Sequence, residues 1–166
     1  MQRVLMIGSN GAGKTTFSYA LAEKTGLPLI HLDQIYWRGK WEVSPQQEFE
    51  QTVLQHAQQP CWIIEGNCLR TLPQRLAYAD TVLWFEFPRL QCVFNILKRE
   101  WRYRGKARPE MPPDCISRLD FKFLKYAWNF NLNNRYRIAA MLLDAPQVKV
   151  VRFRDRRAAQ RYLESL

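Results

Sequence analysis

At 166 residues, 47% apolar and 13% aromatic, the chain is long enough to bury one core and too apolar to be disordered. Its net charge of +10 points to anionic partners, and four cysteines without a C-x-x-C spacing, beside two histidines, argue for reduced thiols rather than a metal site. No apolar run reaches the length of a membrane span, and the first predicted strand follows Met1-Gln2 directly, so one cytoplasmic domain over residues 1–166 without membrane contact is expected.

Arg3-Val4-Leu5-Met6-Ile7 reads as a strand, and residues 15–25 as a helix stopped by Gly26 and Pro28. Between them Gly8-Ser9-Asn10-Gly11-Ala12-Gly13-Lys14-Thr15 satisfies G-x-x-x-x-G-K-[ST], a phosphate-binding loop. Its glycines let successive N–H groups point into one concavity, and the helix start adds a positive field. ATP is the expected ligand, its phosphates cradled by Gly8 through Thr15 and by Thr16. Lys14 is expected on the β- and γ-phosphates and the Thr15 hydroxyl on Mg²⁺.

A strand over 27–33 ends in Asp33, and residues 34–43 read as a loop carrying Trp37 and Trp41, which line an acceptor pocket or form an apolar plug. Ser44-Pro45-Gln46-Gln47 predicts a helix start with Ser44 as N-cap. A strand over 61–66 ends in the acid Glu65, a short helix follows near 72–79, and 81–87 is the fourth strand. The helix after Pro88 is predicted to turn Leu90, Val93, Phe94, Leu97 and Trp101 inward. Residues 105–113 form a basic, proline-rich connection. A helix from about Ser117 is expected to bury Phe121, Leu124 and Trp128, a further helix runs over 135–143, and a fifth strand over 147–153 precedes a helix capped by Asp155.

Strands alternating with helices predict an α/β fold, a parallel sheet covered on both faces. Ligands collect at the carboxyl ends of such strands, so the glycine loop, Asp33 and Glu65 are expected to share one crevice. There Glu65 is read as a water-mediated Mg²⁺ ligand, and Asp33 as the base or orienting group for the acceptor hydroxyl. Between residues 96 and 137 eleven Lys/Arg face four Asp/Glu. Arginines that close over a transferring phosphoryl group stabilise its spreading charge. Arg99, Arg102 and Arg108 are the expected catalytic members of such a lid, placed at about residues 99–117, and Arg70 and Arg75 are further candidates. His31 and His56 have no nucleophile nearby and receive no catalytic role. Without N-K-x-D or D-x-x-G, a Ras-like GTPase is disfavoured.

An early glycine loop, the Glu65-Gly66 pair after the third strand and a basic insertion before the last strand together resemble the adenylate kinase and shikimate kinase group of small P-loop kinases. The resemblance implies a three-layer P-loop fold whose five strands run in the order 2-3-1-4-5. More specifically, the chain resembles the bacterial DNA topology modulation proteins (FlaR-type) over nearly its whole length. The segments concerned are His31-Leu32-Asp33 with Tyr36-Trp37, Glu65-Gly66-Asn67, Arg75 before Ala79-Asp80, Phe87-Pro88-Arg89, Arg102-Tyr103-Arg104-Gly105 with Arg108-Pro109, and Trp128-Asn129-Phe130. Where those proteins show Asp-Gly-Asn-Tyr, this chain has Glu65-Gly66-Asn67-Cys68, which moves the charge one methylene outward. The expected function is a kinase-like protein that transfers the ATP γ-phosphate to a nucleotide or another small, anionic or hydroxyl-bearing acceptor. The alternative is a nucleotide-switched DNA-binding or regulatory protein, with few aromatics expected to be free to stack on bases.

Overall fold

A computed structural model describes residues 1–166. Strands β1 (Arg3–Gly8), β2 (Leu29–His31), β5 (Trp62–Glu65), β6 (Thr81–Phe85) and β7 (Lys149–Phe153) form a parallel sheet in the order β2-β5-β1-β6-β7. Counted along this sheet alone, that is the 2-3-1-4-5 order. The period-2 alternation of the strands assigns the two cores. Leu5, Ile7, Ile64, Val82 and Trp84 face one side, where they meet helices α3 (Gln46–Ala57), α4 (Leu72–Tyr78) and α6 (Phe121–Leu143). Val4, Met6, Ile63, Leu83 and Phe85 face the other, against α1 (Lys14–Thr25), α5 (Arg89–Arg102) and α7 (Arg156–Glu164). With both faces covered, the central strands carry continuous apolar runs, each buried side chain contributing roughly 1.5–3 kcal/mol.

Four local expectations are corrected. Residues 34–43 are not an open loop: α2 (Leu32–Tyr36) leads into a hairpin of β3 (Trp37–Arg38) and β4 (Glu42–Val43). Ser44 does not cap α3, because its hydroxyl donates to the Ile35 carbonyl at 2.7 Å and so ties the hairpin's end to α2. Helix α6 is one element of 23 residues, capped by Asp120 through the Lys122 and Phe123 amides. Its polar centre persists because Phe130, Asn134 and Ile138 are packed against the core.

The fourth concerns orientation. Leu90, Phe94, Leu97 and Trp101 of α5 are exposed, and Cys92 and Ile96 are buried instead. The reason lies in the glycine loop: a Cβ on Gly11, which has φ +82°, would stand 2.3 Å from the Cys92 carbonyl oxygen. Backbone that approaches this closely accepts small or hydrogen-bonding side chains and rejects large ones. Phe121 and Trp128 likewise point outward from α6, while Ala127 and Phe130 face in. The aromatics expected to be hidden are therefore on the surface.

Candidate active site

The glycine loop leaves β1 and enters α1 at the carboxyl edge of the sheet. Gly8, at φ +121°, lies so close to β6 that a Cβ would fall 2.0 Å from the Phe85 carbonyl oxygen. Only glycine permits this, and the approach lets the Ser9 amide donate to that carbonyl at 2.7 Å. Gly13 stands at the α1 N-cap without any side-chain cap, which leaves the first-turn N–H groups, Thr15 and Thr16 among them, for an anion.

Three asparagines to which the sequence reading gave no role hold this loop in shape. The Asn67 side chain accepts from the Gly8 amide at 2.8 Å and donates to the Asn10 side-chain oxygen at 3.1 Å. Asn131 on α6 accepts from the Ser9 hydroxyl at 2.9 Å and donates to the Phe87 carbonyl at 3.1 Å. Asn95 on α5 donates to the Gly11 carbonyl at 2.9 Å. The available signal was the poor intrinsic helix propensity of asparagine at 95 and 131.

Lys14 is buried, and its Nζ donates to the Gly8 and Ser9 carbonyls at 2.9 and 3.0 Å. Burial lowers its pKa, against the opposing pull of Glu65 and Asp33, while the like charge of Arg99 lowers it further. Thr15 Oγ1 donates to Glu65 Oε2 at 3.3 Å, so the two expected Mg²⁺ residues are adjacent. Two oxygens in contact, with no cluster of three His, Cys, Asp or Glu nearby, suit Mg²⁺, which retains waters and takes phosphate oxygens as its remaining ligands.

His31, to which sequence gave no role, lies opposite Glu65 in the β2–β5 register, and its Nδ1 is 3.0 Å from Glu65 Oε2. Burial alone would raise the Glu65 pKa. The His31 hydrogen bond, the Lys14 charge and the Thr15 bond outweigh it and hold the carboxyl below its ordinary value. His31 thus keeps Glu65 ionised and fixes its direction.

Asp33, in the first turn of α2, reaches solvent yet has protein packed around it, as on the wall of a crevice. That crowding raises its pKa and the Glu65 charge adds to the effect, while Arg108, Lys14 and Arg99 act the other way. Lys14, Asp33, Glu65, Arg99 and Arg108 therefore form one electrostatic cluster. Arg99 is half-buried against Glu100 at 3.0 Å, its pKa lowered by burial and by Arg108. Arg108 is buried, pairs with Glu110 at 3.2 Å, and keeps its Nε buried without a partner.

The remaining candidates lie outside the cluster. Arg102 is exposed at the end of α5 with no polar partner. Arg75 is fully buried and spends its N–H groups on Thr71, Gly66 and Cys68, with burial pushing its pKa down to about 10. It buttresses the turn after β5. Arg70 sits at the surface, 3.7 Å from Glu50.

Residues 103–120 connect α5 to α6 and rest on the hairpin. Trp41 Nε1 donates to the Ile116 carbonyl at 3.1 Å, and the Cys115 thiol to the Arg38 carbonyl at 3.2 Å. Trp37 packs edge-on against Trp41 with ring centres 5.3 Å apart, so the pair forms an apolar plug beneath the connection. On the other side of the loop, Gln91 of α5 and Asp155, Arg156 and Arg157 at the start of α7 border a groove of about 910 Å³.

No protein-family model matches the chain, and no curated protein does. Solved structures do. A shikimate kinase from Acinetobacter baumannii in complex with shikimate aligns at 14% identity and TM-score 0.60, covering 99% of this chain and 90% of that one. A shikimate kinase from Bacteroides thetaiotaomicron aligns at 18% identity and TM-score 0.55, covering 99% and 95%. A sugar kinase from Janibacter sp. aligns at 13% and 0.52, covering 99% and 91%. At this identity the likeness is one of architecture: the chain has the P-loop kinase fold.

Proposed function

We propose that the chain binds ATP with Mg²⁺ in the glycine-loop crevice and transfers the γ-phosphate to a hydroxyl or phosphate oxygen of a small acceptor beside Asp33. The observation that carries this reading is the gathering of Lys14, the Thr15–Glu65 pair, Asp33 and the partly unpaired Arg108 at one sheet edge. The loop amides hold the α- and β-phosphates, and Lys14 exchanges its two carbonyl partners for β- and γ-phosphate oxygens. Thr15 and, through a water, Glu65 would hold Mg²⁺, which would supply neutralisation of phosphate charge.

Asp33 takes the acceptor's proton as its oxygen bonds to the γ-phosphorus. The bond to the β–γ bridging oxygen breaks and ADP leaves. The raised Asp33 pKa brings its basicity closer to neutrality, which suits a proton acceptor. Arg108 and Arg99 meet the charge that spreads over the moving group, and residues 103–120 act as the lid that excludes water. The shikimate- and sugar-kinase neighbours support a hydroxyl acceptor, and the resemblance to adenylate kinases supports a nucleotide.

A second reading, a nucleotide-switched DNA-binding protein, draws on the basic region and on the exposure of Trp101 and Phe121, which weakens the argument that few rings are free to stack. Purified protein with ATP, Mg²⁺ and a panel of nucleoside monophosphates and hydroxyl metabolites separates the two. Phosphorylated acceptor supports transfer, whereas ATP hydrolysis indifferent to every acceptor would refute it.

A further inference from the structure

The outward faces of α5 and α6 serve neither the core nor the phosphate site. On α5, Leu90, Phe94, Leu97 and Trp101 follow one another at steps of four, three and four residues, which places them in a single stripe along about 16 Å of helix. Leu90 is 72%, Phe94 66% and Trp101 79% exposed. On α6, Phe121, Leu132, Tyr136 and Leu143 form a second exposed stripe. The helices pack together with Arg89 over the Trp128 ring and Arg99 over the Phe123 ring. These contacts set the helices antiparallel, and the α5 stripe stands beside α6 as an exposed apolar ridge. Contiguous apolar surface on this scale marks a place of association.

The charges around the ridge select the partner. Arg89, Lys98, Arg102, Lys122, Lys125 and Arg137 stand on these two helices, exposed. Of the acids nearby, Glu100 is engaged by Arg99 and Ser117, Glu86 by Arg135 and Arg152, and Asp120 caps α6, while Asp144 stands exposed after Leu143. Two copies docked symmetrically through this ridge would bring like charges together. The partner is anionic. Bases stack on Trp and Phe, but Leu90, Leu97, Leu132 and Leu143 offer them neither a ring nor a hydrogen bond. Acyl chains take leucine, with Trp and Tyr at the headgroup level and Lys and Arg on the phosphates. No helix is long and apolar enough to cross a membrane, yet a helix of this pattern lies on one.

We infer that the α5–α6 ridge docks the protein peripherally on an anionic lipid bilayer, with Leu90, Phe94, Leu97 and Trp101 in the interface and the basic side chains on lipid phosphates. The inference is independent of the phosphoryl-transfer reading. It is tested by flotation of the full chain with vesicles of phosphatidylcholine alone or mixed with phosphatidylglycerol, at low and high salt. The parent is expected to float with the mixed vesicles and to release as salt rises. The double variant Phe94→Ser, Trp101→Ser is expected to lose about tenfold or more in vesicle affinity, since insertion scales with buried apolar area, while its melting temperature and far-UV circular dichroism stay those of the parent and certify the fold. Floating with neither vesicle type, or equal floating of parent and variant, would overturn the inference. So would self-association that the two serines abolish, or capture of single-stranded DNA through the same side chains without vesicle binding.

Discussion

Replacing Arg108 separates a lid that works on phosphates from a merely charged surface. Arg108 is buried, one N–H reaches Glu110 at 3.2 Å, and its Nε is buried with no partner. A charge-assisted hydrogen bond in such a place is worth about 1.5–3 kcal/mol. Two of them formed on the moving phosphoryl group amount to about 3–6 kcal/mol, or roughly 10²–10⁴ in rate. Arg108→Ala is thus expected to lower acceptor-dependent ADP release by about that factor, with little effect on ATP affinity. It also strands Glu110 in a buried position, at a cost of about 3–5 kcal/mol in stability. The double variant Arg108→Ala, Glu110→Ala restores the melting temperature and not the turnover. Because the contacts lie away from bulk water, the loss is expected to vary little between low and high salt. Normal turnover in a folded Arg108→Ala protein would refute the reasoning. So would a loss recovered by the double variant, which would make the arginine a structural counter-ion only.

Other substitutions address the rest of the cluster. Lys14→Ala removes the one buried cation in the loop and is expected to weaken ATP binding at least tenfold by calorimetry, an effect of about 1.4 kcal/mol or more. Glu65→Gln and His31→Ala are both expected to raise the Mg²⁺ concentration needed for half-maximal nucleotide affinity while leaving affinity in chelator unchanged, since on the proposed reading Glu65 would hold the metal's water and His31 holds Glu65. Asp33→Asn should abolish transfer and spare nucleotide binding. In the parent, transfer should fall with decreasing pH at a point above the ordinary aspartate range, because a raised pKa means that the active carboxylate is lost earlier on acidification. Gly11→Ala adds a methyl 2.3 Å from the Cys92 carbonyl, at a backbone angle alanine disfavours, and is expected to cost about 1–3 kcal/mol or more in stability together with ATP affinity.

The parts of this site that were legible in the sequence are those written in local spacing. The glycine loop, the acid Glu65 at the tip of β5 and the Asp155 cap of α7, which accepts from Ala158, needed only their neighbours, whereas Asp33, read as the end of a strand, lies in the first turn of α2 because β2 stops at His31. The parts that were not legible depend on contacts between distant segments. His31 alternates inward, but only the β2–β5 register puts it against Glu65. Asn67, Asn95 and Asn131 converge on the loop from three separate elements. The outward turn of α5 was hidden for a different reason: helical spacing identifies an apolar face without saying that a glycine backbone, close against the Cys92 carbonyl and satisfied by Asn95, takes the inner position. The 103–120 connection likewise reads as a free basic flap until Trp41 and Cys115 tie it to the hairpin.

The central claim is transfer of a phosphoryl group to a small molecule in place of water. Phosphorus NMR of ATP and Mg²⁺ with the full chain and a pooled set of hydroxyl and nucleotide acceptors follows the γ-phosphate directly. The account predicts that ADP and a new phosphoester resonance grow together in equal amounts, that both vanish with Asp33→Asn, and that inorganic phosphate stays minor. Growth of inorganic phosphate alone, at a rate that no acceptor changes and that Asp33→Asn leaves intact, would contradict it.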